Sequence, residues 1–214
     1  MRTPALVIFD CDGVLVDSEH ISHTILHAML SQHGVTISYE ETIDRFIGTS
    51  TSGFLDGVAG LCGGIVPGRF LERFRAESFT ALTDGVTAIS GVEELLASMR
   101  IPYCVASNGR HAKMQATLEK TGLLKYFDGR IFSSEDVDKP KPAPDLFLHA
   151  ARALGIDPLE CLVVEDTTTG VQAARAAGMR VFGYSAMTSP KRLLDAGADQ
   201  VFGSMRELPG LVML

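Results

Sequence analysis

Asp10 and Asp12 stand two residues apart where an apolar run, Ala5–Phe9, ends. In a strand, residues i and i+2 point to one face, so both carboxylates can enter one site. Gly13 then lets the chain turn away. Two acids so placed can divide the work, one as nucleophile or metal ligand and the other as general acid and base. A lone aspartate at a strand end is commonly a turn residue or a helix cap. A pair at this spacing points instead to chemistry. The run Cys161–Val164 ends the same way, in Glu165-Asp166, followed by Thr167-Thr-Thr169-Gly170. Oxygen ligands at the ends of parallel strands suit Mg²⁺, which takes a few carboxylates and keeps waters and substrate phosphate.

Two further segments make such a site fit a phosphate. Cys104-Val-Ala-Ser107-Asn108-Gly109 ends a third apolar run with a hydroxyl and an amide, and leads into a helix whose N-terminal amides favour anions. Lys139-Pro-Lys141-Pro-Ala-Pro-Asp145 puts two lysines on a proline-stiffened loop before another helix. A cation there can offset the charges of phosphate and nucleophile. Each signal is weak alone. Their order carries the weight: acid pair, Ser-Asn, Lys, acid pair, each where a strand gives way to a helix.

The elements that must position these groups are visible in the apolar pattern. Strand-like runs are Ala5–Phe9, Tyr103–Ala106, Arg130–Phe132, Cys161–Val164, Arg180–Gly183 and Gln200–Phe202. Helical patterns at Ala112–Thr121, Pro144–Leu154 and Gly170–Ala177 alternate with them, which predicts a parallel α/β sheet with right-handed crossovers. The alternation fails between Val14 and Gly85. There His20–Gln32, Ser38–Phe46 (opening with a capping-box pattern, Ser38-Tyr-Glu-Glu41) and Pro67–Leu82 read as helices, with Gly60, Gly63 and Gly64 as joints. The expected organisation is a Rossmann-like catalytic core of residues 1–14 and 85–214, with residues 15–84 inserted as a helical cap. The connecting segments Leu15–Asp17 and Asp84–Gly91 would then hold the hinge.

The chain has 214 residues, 46% hydrophobic and 21% charged, as expected of a globular protein. Its net charge of −7 argues against a general nucleic-acid binder. No apolar stretch is long enough to span a membrane. Asp10 comes too early for a signal peptide, and the four cysteines form no C-x-x-C. The expectation is a cytoplasmic protein with reduced thiols, monomeric, without nucleic-acid or membrane partners.

With these motifs the sequence resembles the haloacid dehalogenase superfamily, in the subclass whose helical cap follows the first motif. The resemblance is closest to the β-phosphoglucomutase-like branch, which includes sugar-phosphate phosphatases. The motifs read Asp10-Cys-Asp12-Gly13, Ser107-Asn108, Lys141 and Glu165-Asp166, and Lys141 rather than Lys139 fits the family's Lys-Pro-x-Pro-Asp pattern. The resemblance implies that Asp10 attacks phosphorus and becomes an aspartyl-phosphate, while Asp12 protonates the leaving alcohol and later deprotonates water. Ser107 and Asn108 would bind the phosphoryl oxygens, and Lys141 would steady Asp10. Mg²⁺ would be held by Asp10, the backbone carbonyl of Asp12 and Asp166, with Glu165 ligating or just outside. The implied activity is Mg²⁺-dependent hydrolysis of a small phosphorylated metabolite, a sugar phosphate or a sugar-acid phosphate such as 6-phosphogluconate.

Several other readings compete. A dehalogenase needs neither Asp12 nor the second acid pair. A phosphonatase needs a cap lysine, and residues 15–84 contain none. Cys104 and Arg110 have the C-x₅-R spacing of cysteine-dependent phosphatases, but the apolar run continues past Cys104 and breaks at Ser107. A catalytically silent binding module on the same fold would show a lost motif residue, and none is lost. His20, His23 and His27 share a helical face without a completing ligand set. A sugar phosphomutase is the main alternative, but in β-phosphoglucomutases a His stands twelve residues after the nucleophile and an Arg follows the cap-loop Gly-x-Ser, where this chain has Ser22 and Thr51. Substrate selection is expected from the cap segment Arg45–Thr51, through Arg45, Gly48, Thr49 and Ser50.

Overall fold

The computed structural model describes residues 3–212. Six strands form one parallel sheet: β1 (Leu6–Phe9), β2 (Tyr103–Ser107), β3 (Ile131–Ser133), β4 (Cys161–Glu165), β5 (Arg180–Tyr184) and β6 (Gln200–Phe202). Their order is β3-β2-β1-β4-β5-β6. All six expected strands are present, within a residue or two at their ends. The register pairs Ile8 with Cys104 on one side and with Val163 on the other. Strands β1, β2 and β4 are buried on both faces, which is why they read as continuous apolar runs. Val7, Phe9 and Cys11 belong to the core on one side of the sheet, and Leu6, Ile8 and Cys104 to the core on the other.

Between β1 and β2 the chain makes α1 (Glu19–Gln32), α2 (Tyr39–Phe46), α3 (Thr51–Leu61), α4 (Phe70–Gly85) and α5 (Val92–Ser98). The first four share a separate core built on Leu26, Met29, Leu30, Phe46, Phe54, Val58 and Phe70. Ser38 does cap α2 reciprocally with Glu41. Helix α3 has no counterpart in the apolar pattern, because Gly53, Gly57 and Gly60 interrupt it and lower its helix propensity. Gly60 is therefore a helical residue and not a joint. Gly57 has a packing reason: a Cβ there would stand 2.7 Å from the Phe46 ring, so its absence lets α2 lie against α3. Helix α4 ends at Gly85, one residue beyond the expected cap boundary.

The two segments joining cap to core run side by side. Asp17 N–H donates to the Thr87 carbonyl at 2.9 Å, Ile89 N–H donates to the Leu15 carbonyl at 3.0 Å, and Val16 pairs antiparallel with Ala88. The remaining helices, α6 (His111–Lys120), α7 (Asp145–Ala153), α8 (Thr168–Ala176), α9 (Pro190–Asp195) and α10 (Leu208–Val212), follow β2 to β6 and cover the sheet. No helix among the described residues is long and apolar enough to cross a membrane.

Candidate active site

Strand β1 lies between β2 and β4, where the strand order reverses, and ligands of open α/β sheets bind at the carboxyl ends of such strands. Asp10 follows β1, Ser107 ends β2, Glu165 ends β4, and Asp166 comes next. The loop before α7 brings in Lys141, which is only 3% exposed. Its Nζ donates to Asp10 Oδ1 at 2.6 Å, Glu165 Oε1 at 2.8 Å and the Ala106 carbonyl at 2.8 Å. Each ammonium hydrogen thus has an acceptor, which is what a buried lysine requires. Lys139, the other loop lysine, is exposed.

Glu165 has both oxygens engaged. Oε1 takes Lys141, and Oε2 accepts from the Thr167 backbone N–H at 3.0 Å and its hydroxyl at 2.8 Å. Gly170 makes room for it, since a Cβ there would come within 1.8 Å of Oε1. Asn108 braces Lys141 instead of pointing freely into the site: its Oδ1 accepts from the Lys141 N–H at 3.0 Å and its Nδ2 donates to the Lys141 carbonyl at 3.1 Å. That leaves one amide hydrogen and its backbone for a phosphoryl group. Ser107 is buried at the floor of the cleft, where its Oγ accepts from Gly109 N–H at 3.2 Å.

A second lysine, not singled out by the sequence motifs, completes the group. Lys113, in the first turn of α6, donates to Asp12 Oδ1 at 2.8 Å, and the Ser18 hydroxyl donates to the same oxygen at 2.6 Å. Burial alone would raise Asp12, but the Lys113 charge and these hydrogen bonds outweigh it, so Asp12 sits below the usual carboxylate value. Asp10 goes the other way. Burial, with Glu165 and Asp12 nearby, pushes it up to about 7 despite Lys141. Asp166 is raised well above its ordinary value by burial and then by Glu165, Asp10 and Glu19.

These directions describe a site with more carboxylates than cations, and Asp166 Oδ1 is buried with no hydrogen-bond partner. A buried polar atom of this kind calls for a partner. Gly13, at φ +75°, lies against the same carboxylate, and a Cβ there would be 2.2 Å from Asp166 Oδ2. The carboxylates of Asp10 and Asp166 are donors of the kind a hard divalent cation takes. Among the described residues no group of three or more His, Cys, Asp or Glu side chains forms a metal cage. Mg²⁺ does not need one, because it keeps waters and substrate oxygens as ligands.

A cleft of about 1470 Å³ opens above these groups, between cap and core. Gly48, Thr49, Ser50 and Thr51 line it; Arg45 does not. The Arg45 side chain lies along α3, its Nη2 3.5 Å from where a Gly60 Cβ would stand. Arg45, expected to meet substrate, thus stands on the α3 side of α2, outside the residues that line the cleft. The Thr49 hydroxyl donates to the Phe46 carbonyl, and Ser50 caps α3 by accepting from Gly53 N–H. The arginines that do line the cleft are Arg69 and Arg75 from the cap and Arg110 from the core. The sequence offered only a weak signal for them, as charges on otherwise ordinary helix faces or loops.

Gly48 ties the cap loop to the core. Its carbonyl accepts from the Thr169 hydroxyl, its φ is +66°, and a Cβ would lie 2.9 Å from the Thr167 Cβ. Gly48→Ala should push the loop off α8 and raise KM about 10-fold with a smaller change in kcat, because strain of about 1–3 kcal/mol falls on a loop that lines the cleft. Steady-state kinetics check this, and an unchanged KM would remove the loop from substrate binding.

The competing clusters do not assemble. His20 bonds to Tyr39, His27 to Thr42, and His23 to the Glu19 carbonyl, so the three rings have separate partners. Cys104 is fully buried in the core opposite Phe9, with its thiol pushed up by burial, and does not line the cleft. Among the described residues all four cysteines are free.

Comparison with known proteins identifies the family. The profile of the haloacid dehalogenase-like hydrolases matches residues 7–184. The 6-phosphogluconate phosphatase of Escherichia coli is 35% identical over 96% of this chain and 93% of its own length. A crystal structure of a haloacid dehalogenase-like protein from Agrobacterium tumefaciens superposes with a TM-score of 0.90 at 37% identity, covering 98% of this chain and 97% of that one. A hydrolase of the same family from Deinococcus radiodurans, solved with bound phosphate and sodium, superposes at 0.83 with 32% identity, covering 100% and 97%. The chain therefore belongs to the haloacid dehalogenase-like hydrolases, and is a phosphoric monoester hydrolase of that family.

Proposed function

We propose that the protein is a Mg²⁺-dependent phosphatase acting on a small phosphorylated sugar or sugar acid, with 6-phosphogluconate the first candidate, through an aspartyl-phosphate on Asp10. The observation that carries the reading is the buried Lys141 bridging Asp10 and Glu165 beside the unpartnered carboxylate of Asp166. Phosphoryl transfer needs chiefly positioning and charge neutralisation, and these groups supply both.

Asp10 attacks phosphorus while Lys141 holds it in place and offsets negative charge. Ser107 and the backbone of the Ser107–Gly109 loop receive the phosphoryl oxygens. Asp12 is a carboxylate before substrate binds; like-charge repulsion from the arriving phosphate raises its pKa, so that it takes up a proton from solvent or from a monoprotonated phosphate ester and passes that proton to the leaving alcohol. In the second half it takes a proton from the attacking water. Mg²⁺ held by Asp10, Asp166 and the Asp12 carbonyl would neutralise charge on the transferring group. The cap closes off bulk water.

The sugar-acid assignment rests on the rim. Arg69 is tied to Glu72 at 2.6 Å and Arg110 faces Glu135 at 3.8 Å. Arg75 lines the cleft and makes no hydrogen bond or ion pair among the described residues. A carboxylate remote from the phosphate would give it a bidentate partner. Ser22 and Thr51 present hydroxyls to the cleft where a mutase of this family would present His and Arg, which favours hydrolysis.

The test is phosphate release from 6-phosphogluconate, glucose 6-phosphate, fructose 1-phosphate and glycerol 3-phosphate with Mg²⁺ or EDTA. The expected outcome is highest kcat/KM on 6-phosphogluconate, abolished by EDTA and restored by Mg²⁺, with Arg75→Met raising its KM by about 10-fold. Activity indifferent to EDTA would remove the metal. A preference of about 10-fold or more for a substrate without a carboxylate would remove the sugar acid.

A further inference from the structure

The Asp12 carboxylate is gripped asymmetrically. Its Oδ1 receives the Lys113 ammonium at 2.8 Å and the Ser18 hydroxyl at 2.6 Å. Its Oδ2 receives neither, and lies 3.5 Å from where a Cβ on Gly109 would stand, beside the loop that carries Ser107. Gly109 has no side chain to fill that space. The two gripping groups come from different parts of the chain. Ser18 immediately precedes α1, the first cap helix, and is fully buried, while Lys113 is on α6 of the core. Lys113 makes this contact across 101 residues of chain and no other ion pair among the described residues.

An aspartate carboxylate turns easily about its last torsion, which has broad and nearly two-fold minima. Left alone, Asp12 would exchange its two oxygens and spread over many orientations. Proton transfer needs one oxygen within hydrogen-bond reach of the leaving group. Two donors on Oδ1 choose which oxygen that is.

We propose that Lys113 is a positioning residue: with Ser18 it holds Oδ1 of Asp12, so that Oδ2 is the oxygen that exchanges protons during catalysis. The proposal rests on the phosphatase reading given above. In the first step an Asp10 oxygen bonds to phosphorus, the phosphorus–ester oxygen bond breaks, and the departing oxygen takes the proton from Asp12 Oδ2. In the second, water bonds to phosphorus and returns a proton to Asp12 Oδ2, and the phosphorus–Asp10 bond breaks to give phosphate and a free carboxylate. Lys113 touches neither reacting atom and gives up no proton.

The experiment compares two aryl esters that make few demands on the cap. The leaving group of p-nitrophenyl phosphate departs as a stable phenolate and needs little proton donation. That of phenyl phosphate is a much stronger base and needs it. Since kcat/KM reports the steps through departure of the leaving group, Lys113→Met should lower it by about 10- to 100-fold on phenyl phosphate, the size of a misplaced catalytic group, and by less than about threefold on p-nitrophenyl phosphate. Lys113→Arg, which keeps the donor, should recover most of the loss. Asp12→Asn should show the same selectivity more severely, and Ser18→Ala the same selectivity more mildly. If Lys113→Met is too unstable to assay, Ser18→Ala decides, because it removes only one hydroxyl from the same oxygen. Equal losses on both esters, or a rise in KM alone, would overturn the proposal and make Lys113 a structural or substrate-binding residue. Asp10→Asn in parallel separates the two levels: if it still hydrolyses both esters, the aspartyl-phosphate reading has failed; if it is inactive while Lys113→Met shows no selectivity, only the positioning role has failed.

Discussion

Asp10→Asn is expected to lower kcat by about 10⁴-fold or more while the protein stays folded, because a nucleophile is removed and nothing else in the cleft can replace it. The amide is close in shape to the carboxylate and can still accept from Lys141, which keeps Glu165 as its charged partner at 2.8 Å. One of the acids crowding Asp166 is also lost, so the metal-free variant should melt at or above the wild-type temperature. Phosphate release and a thermal melt read the two effects separately. Retention of more than about 1% of turnover would rule out Asp10 as the nucleophile, since nucleophile deletions cost far more. Cys104→Ser, remote from the cleft, should leave turnover within a few-fold of wild type; loss of activity there would revive a thiol mechanism.

Lys141→Met should cost both activity and stability. The lysine is buried against Asp10, Glu165 and the Ala106 carbonyl, and it also lies over the Phe147 ring at 4.6 Å. Methionine keeps much of the volume but leaves buried carboxylates without their cation, a loss of about 3–5 kcal/mol. For a chain of this size that corresponds to a fall in Tm of roughly 6–20 °C. The deficit should shrink in acid. Burial pushes Asp10 up to about 7 and raises Asp166 as well, so the folded state binds more protons than the unfolded one above the ordinary carboxylate range. Stability then falls as pH rises from about 4 toward 7, and without Lys141 it falls more steeply. Melts of metal-free wild type and variant at pH 5 and pH 8 measure this. A variant deficit equal at both would show that the buried acids are not the source. Mg²⁺ at about 100 times its Kd should add about 2.7 kcal/mol to the wild type by mass action.

The acids of the site were legible because their signal is local. Asp10 and Asp12 are two residues apart at the end of an apolar run, and Glu165 and Asp166 repeat the arrangement. Strands buried on both faces have to be apolar throughout, so β1, β2 and β4 could be read from runs of four or five residues. Helix α3 could not, since its glycines serve contact with Phe46 and carry a weak propensity of their own. Which arginine faces the cleft was decided the same way: Arg45 stands on the α3 side of α2, while α4 and the turn before it bring Arg75 and Arg69 in. Asn108 reads in sequence as a phosphate ligand, but its amide is largely taken up by the Lys141 backbone, a pairing across 33 residues. Lys113 is an unremarkable lysine in an amphipathic helix until the fold carries it to Asp12. The chemistry offered by each motif follows from residue type and short-range spacing, which strand and helix periods constrain. The partner of each side chain depends on contacts between distant segments, and only the packing of cap on core and helix on sheet selects among them.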